Sequence, residues 1–422
     1  MAKVQVFENK PSVLGINSLG RIGKLTLWHH INRKYFKEIV VNLGREAGTG
    51  MDAIAQAIEK DTTYGLLHRF LYGIKSERLI QITDEKQGKM LIDGVPVTIL
   101  REARNPAEIL WRQYGADIVL DCTGKFKDPT VASDNKSGSI RGHLHGGAKA
   151  IINSSPFKIK NKALSVPDDA VTLIYGINHT AFDPKKHQII SAASCTTTGL
   201  AHMIKPLLEN EETNNILTAS MSTIHAVTNS QSVLDSVPKA GEKDLRKNRS
   251  ILNNIILTST NAAKALVEVI PEVKHIGFMA DSIRVPTSTM SLIVLNATFQ
   301  ARANKQMVIN TKMINEIYRK ASENKPENLI KFTMEQNVPT DLIGVDAAVI
   351  IEGQFNHTRT AFINLDLSHI PNCPADIMKA CPEKVLQVPV VHAKIFGWYD
   401  NEYGSYVNRM GDLTVYIHKN IL

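Results

Sequence analysis

The sequence predicts an α/β protein of two domains: a doubly wound, mainly parallel sheet, then an α+β domain with a mixed or antiparallel sheet. At 422 residues the chain exceeds what one hydrophobic core usually supports. In the first half, strand-like apolar runs alternate with helical or polar segments, which is typical of a parallel sheet covered on both faces. In the second half, several such runs follow one another without a helix between them, which favours antiparallel pairing.

Composition indicates a globular protein of a reducing compartment. Hydrophobic residues make up 43% and charged residues 21% of the chain, so a core can form without disulfides. The four cysteines show no paired metal-ligand spacing, and such a low number suits the cytoplasm. Met1–Lys10 lacks the apolar region of a signal peptide, and no run is long enough to span a membrane. We expect a cytoplasmic protein without a metal.

The net charge of +8 favours anionic partners. The basic residues are scattered and are not interleaved with aromatic residues, so nucleic acid is an improbable partner. Small polyanionic substrates or cofactors fit the charge equally well. A solvated basic surface without functional meaning explains it as readily.

The first strand leads into a glycine-containing turn. Val13–Asn17 reads as a buried strand, and apolar positions at Ile22, Leu25, Trp28 and Ile31 predict a helix. The intervening residues come close to the dinucleotide fingerprint G-x-G-x-x-G, with Ser18 at the first glycine position. This favours a Rossmann-type cofactor turn, although a simple strand-to-helix turn explains the pattern nearly as well.

The second strand bears on cofactor choice. Ile39–Leu43 ends where a dinucleotide-binding enzyme presents an acid to the adenosine ribose, and that position is Leu43. Without the acid, Arg45 could pair with a 2′-phosphate. The hypothesis is therefore NADP, or no strict choice between NAD and NADP. A solvated Arg45 is the alternative.

The remaining elements of the first half follow the same alternation. Asp52–Lys60 and Pro106–Tyr114 are helix-compatible or polar segments between the strands. The predicted strands are Val95–Leu100, Asp117–Asp121, Ala150–Asn153, Thr172–Tyr175 and Gln188–Ile190. Small residues follow two of them, at Gly124 and Ser154, at the strand ends where doubly wound sheets bind ligands.

Cys195 lies between the last of these strands and a segment of helical spacing. At such a turn, the unpaired N–H groups of the first helical turn stabilise a thiolate. They can also stabilise an oxyanion formed when the thiolate attacks a carbonyl. Cys195 is therefore a candidate nucleophile. A buried structural cysteine is the alternative.

A base for this thiol is available at His225. The alternating run Thr218–Ile224 predicts a strand that ends at this histidine, and imidazole titrates near neutrality. The loop Ser236–Lys243, rich in Pro, Gly and charge, is expected to be exposed, and a helix is expected from about Ala262.

Arg284 lies between apolar segments, where either an anionic ligand or an internal carboxylate would pair with it. The C-terminal tail could be helical. Further predicted elements are strands at Ser291–Leu295, Ala347–Ile351, Thr360–Leu367 and Val390–Phe396, and a helix at Met307–Ala321.

Taken together, the motifs resemble those of the phosphorylating glyceraldehyde-3-phosphate dehydrogenases. The matching stretches are Gly15–Asn17 with Gly20–Gly23, Ala193–Thr197, His225–Gln231, Ile283–Thr287 and Trp398–Gly404. The resemblance implies a dinucleotide-binding domain at 1–194, completed by 398–422, and a catalytic domain at 195–397. It also implies a homotetramer.

The resemblance further implies oxidation of glyceraldehyde 3-phosphate by NAD or NADP with inorganic phosphate. The product is 1,3-bisphosphoglycerate, formed through a cysteine thioester in glycolysis or gluconeogenesis. Cys195 is then the nucleophile and His225 the base. Thr228, Ser230 and Arg284 hold the substrate phosphate, and Ser194, Thr196, Lys247 and Thr260 hold the attacking phosphate. The implied cofactor contacts are Gly20, Arg21, Ile22, Arg104, Ser154 and Asn401.

The chain also departs from the family's pattern. Ser18, Leu43, Thr198, Lys247 and Asn261 stand where other residues are usual, and extra sequence occurs at 236–243 and 369–391. Two alternatives remain open. One is another sugar-phosphate aldehyde such as erythrose 4-phosphate as substrate. The other is a weakly active paralogue that binds anions or nucleic acid.

Overall fold

The computed structural model describes residues 12–301, 309–323 and 328–422. These residues form two compact units. The first comprises the described residues up to Cys195 together with Glu402–Leu422, and the second comprises those of Thr196–Asn401. The segment Met1–Lys10, discussed above for signal-peptide character, lies outside the described residues.

The first unit is built on a nine-stranded sheet in the order β10-β11-β9-β8-β1-β2-β7-β6-β5. Its strands are β1 Val13–Asn17, β2 Glu38–Asn42, β5 Ile80–Asp84, β6 Lys89–Ile92, β7 Val95–Leu100, β8 Ala116–Asp121, β9 Ala150–Asn153, β10 Ala170–Thr172 and β11 Ile189–Ser191, with a separate hairpin β3 Lys60–Asp61 and β4 Gly65–Leu66. Its helices are α1 Arg21–Arg33, α2 Met51–Glu59, α3 Leu67–Tyr72, α4 Gly142–His145 and the C-terminal α9 Asn408–Ile421.

The parallel part of this sheet confirms the predicted doubly wound domain. Every pairing from β10 to β7 is parallel. All five residues of β1 are buried, which explains why this strand reads as a continuous apolar run. The predicted helical tail is confirmed as α9. The strand predicted at Thr172–Tyr175 lies earlier, at Ala170–Thr172, in register with β11.

Two features of this unit were not anticipated. β5, β6 and β7 pair antiparallel at one edge of the sheet. The segment Pro106–Tyr114, described above as helix-compatible or polar, forms no α-helix but two short 3₁₀ turns, Pro106–Glu108 and Trp111–Tyr114. Leu110 between them has a ψ of 65°, which is incompatible with a continuing helix. The break leaves Leu110 exposed and Trp111 fully buried.

The second unit confirms the predicted mixed sheet, in the order β13-β14-β12-β15-β19-β17-β16 with β18 paired to β19. Its strands are β12 Ile216–His225, β13 Ile256–Ser259, β14 Gly277–Arg284, β15 Ser291–Gln300, β16 Ile330–Thr333, β17 Val349–Glu352, β18 His357–Asp366 and β19 Val385–Tyr399. Its helices are α5 Cys195–Glu209, whose first residue Cys195 belongs to the first unit, α6 Ala262–Val269, α7 Thr311–Ser322 and α8 Ala375–Ala380. Met307, the predicted start of α7, lies outside the described residues.

The extra sequence near 369–391 belongs to a two-stranded ribbon. β18 pairs with β19 from His357↔Lys394 out to Asp366↔Val385, whereas β15 pairs with β19 only as far as Val390. The short helix α8 lies between the two ribbon strands in the chain. Within the described ranges, no helix combines the length and the hydropathy needed to cross a membrane.

Candidate active site

The predicted turn before Cys195 is present. β11 ends at Ser191, and Cys195 is the first residue of α5, whose first turn contains no acidic residue. Ala193 has a φ of +54°, a left-handed conformation that is uncommon for a residue other than glycine. Its amide donates to Ser191 Oγ at 3.1 Å, and Tyr406 Oη donates to its carbonyl at 3.3 Å. These buried contacts fix the backbone that carries the half-buried thiol.

His225 is held at the end of β12. β12 and β14 are parallel and in register, so their last residues, His225 and Arg284, lie side by side. His225 Nδ1 lies 2.7 Å from the carbonyl oxygen of Ala226 and 2.5 Å from Arg284 Nη1. That carbonyl also accepts from Arg284 Nη1 at 3.2 Å. Arg284 Nη1 can only donate, so an Nδ1 that bonds to it is an acceptor and the ring proton is on Nε2. An Nδ1 that instead donates to the Ala226 carbonyl leaves Nε2 as the nitrogen that accepts a proton.

The surroundings keep this imidazole neutral. Burial lowers the pKa of His225 to about 3, and the positive charge of Arg284 acts in the same direction. The carbonyl of Ala226 opposes the shift, because it accepts a hydrogen bond from the ring. At neutral pH the ring is therefore unprotonated and has the form that a general base requires.

Tyr399 links the start of α5 to β12. Its side chain is fully buried, and Oη lies 2.9 Å from Thr196 Oγ1 and 2.8 Å from Thr223 Oγ1. Its ring also packs edge-on against His225, with centroids 6.0 Å apart. Thr196 follows Cys195 directly, and Thr223 precedes His225 by two residues. Sequence reasoning gave Tyr399 no role, although it lies within the stretch Trp398–Gly404 already singled out.

The loop after β12 brings two predicted phosphate ligands together. Thr228 Oγ1 lies 2.9 Å from Ser230 Oγ, and Gln231 Oε1 accepts from the backbone amide and the hydroxyl of Thr228. The amide of Val227 donates to the carbonyl of Thr287, which follows β14. This loop is therefore tied to the chain just beyond Arg284, the third predicted ligand of the substrate phosphate.

The residues predicted for the attacking phosphate are spread over several elements. Thr196 is buried against Tyr399, and Thr260 Oγ1 accepts from the amide of Ala262 at the start of α6. Lys247 lies on an exposed 3₁₀ turn with Nζ 3.4 Å from Glu242 Oε1. Among the described residues no hydrogen bond joins Lys247 to either threonine. Ser194, the fourth, is half-buried in the first unit.

The turn after β1 brings the backbone tightly round to the start of α1. Ser18 has a φ of +97°, a conformation normally left to glycine, and its Oγ accepts from the amide of Gly20 at 3.1 Å. A Cβ on Gly23 would lie 1.9 Å from the Ser18 carbonyl oxygen, so only glycine fits there. At Gly20 a Cβ would meet only Ser18 Oγ, at 3.5 Å. Space therefore remains at the start of α1, where no side chain caps the helix.

Arg21 and Ile22 follow in the first turn of α1. The Arg21 guanidinium forms ion pairs with Asp61 and Glu402, and its Nε donates to Glu402 Oε1 at 3.0 Å. In this arrangement the side chain of Arg21 anchors the helix to the C-terminal segment. Its backbone N–H is one of the first four of α1, which have no partner within the helix and can bind an anion.

The end of β2 carries the groups relevant to the adenosine ribose. Leu43 donates its amide to the carbonyl of Leu100, and Arg104 Nε donates to the carbonyl of Gly44 at 3.1 Å. Arg45 is exposed and makes no ion pair with any residue that the structure describes. Glu46, which sequence reasoning did not weigh, is a nearby carboxylate, and it pairs with Arg101 at 3.1 Å.

Ser154 and Asn401, the other predicted cofactor contacts, belong to different units. Ser154 follows β9, and its amide donates to the carbonyl of Asp121. Asn401 is buried with its Oδ1 within reach of Thr289 Oγ1 and Ser291 Oγ, at 3.3 and 3.2 Å. Its Nδ2 donates to none of the described residues, so a donor remains for a ligand carbonyl.

A buried polar network below the cofactor turn was missed entirely. Asp121 is fully buried and accepts from Asn17 Nδ2 at 2.9 Å, and His143 Nε2 lies 3.0 Å from it. Trp111 Nε1 donates to His143 Nδ1 at 2.9 Å. An imidazole that accepts at Nδ1 carries its proton at Nε2 and donates it to the carboxylate. The signal in the sequence was a polar residue at the end of two otherwise apolar strands.

Family models agree with this architecture. One described as the NAD binding domain of glyceraldehyde 3-phosphate dehydrogenase matches residues 12–129, and one described as its C-terminal domain matches residues 194–370. The chain belongs to the glyceraldehyde-3-phosphate dehydrogenase family. The predicted resemblance and fold class are thereby confirmed.

Curated relatives match nearly the whole chain. A glyceraldehyde-3-phosphate dehydrogenase of Streptomyces coelicolor is 32% identical over 405 residues, covering 96% of this chain and 98% of the relative. A glyceraldehyde-3-phosphate dehydrogenase 1 of Trichormus variabilis is 33% identical over 416 residues, covering 98% and 97%. One of Bacillus cereus is 28% identical over 404 residues, covering 96% and 98%. The protein is thus an oxidoreductase of this family with a nicotinamide dinucleotide cofactor.

Proposed function

We propose that this chain oxidises glyceraldehyde 3-phosphate to 1,3-bisphosphoglycerate with inorganic phosphate, through a thioester on Cys195. One observation carries the proposal. Cys195 opens α5, and the adjacent Thr196 is bonded through Tyr399 to the strand that ends in the neutral imidazole of His225. A thiol at a helix start and an unprotonated base are the two groups that this chemistry requires.

The chain's own residues account for the steps. The thiolate of Cys195, stabilised by the first N–H groups of α5, adds to the aldehyde carbon. The resulting oxyanion takes up a proton from water to give a hydroxyl, and His225 Nε2 accepts that proton when the hydride leaves the carbon. When bound, the nicotinamide ring supplies the hydride acceptor that converts this adduct to the thioester. A phosphate oxygen then attacks the thioester carbonyl, the C–S bond breaks, and the Cys195 thiolate is regenerated.

The cofactor fits the first unit by its backbone. The uncapped start of α1, the open space at Gly20 and the absence of an acid in the first turn leave N–H groups for a pyrophosphate. In the second unit, Asn401 offers Nδ2 to the nicotinamide carboxamide. Thr228, Ser230 and Arg284 would hold the substrate phosphate, and Thr196, Ser194, Thr260 and Lys247 the attacking phosphate.

The test is phosphate-dependent reduction of the cofactor by the wild type and by Cys195→Ser. We expect the wild type to turn over when phosphate or arsenate is present and to stop when both are omitted. Cys195→Ser should show no turnover above background. A substrate panel containing erythrose 4-phosphate assigns the aldehyde. Undiminished turnover in Cys195→Ser would contradict the assignment of the nucleophile.

For the cofactor we propose NADP or use of both dinucleotides. Leu43 supplies no carboxylate to bind the ribose or to repel a 2′-phosphate, and the exposed Arg45 lies near the end of β2. Arg101 also lies there, but it is paired with Glu46. Comparison of kcat/KM with NAD and NADP is decisive. A strong preference for NAD would end the proposal.

We also propose that copies of the chain associate as a homotetramer. Large apolar side chains are exposed in the second unit, among them Leu234 at 75%, Val237 at 89% and Ile255 at 73%. Exposed apolar side chains of this size favour an association surface. Light scattering on the protein as it elutes from a size-exclusion column should give a molar mass of about four times 46.7 kDa. A monomeric mass would contradict the proposal.

A further inference from the structure

We infer that the second unit holds a binding site for a small organic ammonium ion, in a cavity that the dehydrogenase chemistry does not use. The cavity measures about 420 Å³, within the range of small-ligand sites. It is lined by Leu292, Gln336, Asn337, Glu352, Phe355, Phe396 and Trp398.

The cavity lies on the other face of the sheet from the proposed catalytic groups. Successive strand residues point to opposite faces. Tyr399 bonds to Thr196 and Thr223, so its neighbour Trp398 faces away from them. The indole instead reaches Glu352, the last residue of β17. The site is therefore independent of the proposed function.

Glu352 supplies the charge. Glu352 is buried, with 5% of the residue exposed. Oε2 accepts from Trp398 Nε1 at 2.9 Å and from Asn337 Nδ2 at 3.1 Å. Oε1 accepts no hydrogen bond, and the carboxylate makes no ion pair, within the part of the chain that the structure describes. A buried carboxylate without a cationic partner favours the binding of one.

The rest of the lining selects an organic cation over a metal ion. Trp398, Phe355 and Phe396 present aromatic rings, and the last two meet nearly at right angles with centroids 5.8 Å apart. Aromatic faces attract ammonium groups. Metal ions such as Ca²⁺ and Mg²⁺ instead need several oxygen ligands. The described residues offer no group of three or more His, Cys, Asp or Glu for a metal. An ammonium group can donate to Glu352 Oε1 while its apolar body lies against the rings.

The probe is 2-phenylethylammonium chloride, with 2-phenylethanol as the neutral molecule of the same shape. Isothermal titration of the full-length protein should show binding of the cation at least about tenfold tighter than of the alcohol. Glu352→Gln, which keeps an acceptor for Trp398, should weaken binding of the cation by about tenfold. The matched control is Glu272→Gln, which removes the same charge from an exposed position and should leave binding unchanged.

Phe355→Ala is a second variant, and it should not disturb folding because Phe355 is 66% exposed. It should weaken binding of the cation by about threefold through loss of the ring face. Equal affinity for the alcohol and the cation, undiminished binding in both variants, or no heat at millimolar probe would overturn the inference.

Discussion

Within the second unit, the end of β12 and residues 232–250 of the following loop differ in the burial of their side chains. Thr223 and His225 are buried, and each is within hydrogen-bonding distance of another buried group. In the loop, Val237 is 89% exposed, and Lys247 makes its ion pair with a neighbour five residues away. Rigid buried contacts suit the positioning of a base, and exposed charges suit the capture of a soluble anion. Variants at the two places should therefore affect different kinetic constants.

The largest effect is expected at the base. His225→Ala should lower kcat/KM by about 10²- to 10⁴-fold, because it removes the group proposed to take the hydroxyl proton. Steady-state reduction of the cofactor measures it. His275→Ala, which removes an exposed histidine of the same unit, should leave kcat/KM unchanged. A loss of kcat/KM of less than threefold in His225→Ala would contradict the role of His225 as the base.

Tyr399→Phe tests whether the buried contacts at the end of β12 position the catalytic groups. Loss of Oη removes the link between Thr196 and Thr223, and we expect kcat to fall by about tenfold with little change in KM. The control is Tyr318→Phe, a buried tyrosine whose Oη donates to the carbonyl of Met203 at 2.6 Å. Both variants should lose about 1 kcal/mol of stability. If both lower kcat alike, the Tyr399 link has no special role in positioning.

The smallest effect is expected in the exposed loop. Lys247→Met should raise KM for phosphate by about twofold to fivefold and leave kcat within a factor of two, because an exposed cation contributes about 0.5–1 kcal/mol. Lys243→Met, in the same loop, is the matched control and should change neither constant. A change in kcat without a change in KM would place Lys247 outside the phosphate site.

The same contrast explains what the sequence could predict. The individual groups were identifiable because each ends a strand or starts a helix, as His225 and Cys195 do. Their neighbours were not, because pairing between distant strands leaves no local pattern. The parallel register of β12 with β14, which sets Arg284 beside His225, joins segments 59 residues apart. Tyr399 meets Thr196 across 203 residues.

In the first unit the parallel core was predictable and its edge was not. β1 and β9 are buried along their whole length and β7 over most of its length, and all three were located to the residue. β5 alternates half-buried and exposed residues, and only the neighbouring β6 makes it a strand. Ser18 was counted as a departure from the fingerprint, yet it adopts the glycine-like φ of +97°. Sequence alone shows the substitution but not that the backbone tolerates it.

The account depends on a covalent bond between the substrate's acyl group and the sulfur of Cys195. The most direct test incubates the protein with glyceraldehyde 3-phosphate and excess NAD or NADP in the absence of phosphate, followed by acid quenching and peptide mass spectrometry. We predict the mass of one phosphoglyceryl group on the peptide containing Cys195, and its disappearance within one turnover after phosphate is added. An unmodified Cys195 peptide in a protein that nevertheless turns over, or an acyl group on Cys122, Cys373 or Cys381 instead, would contradict it.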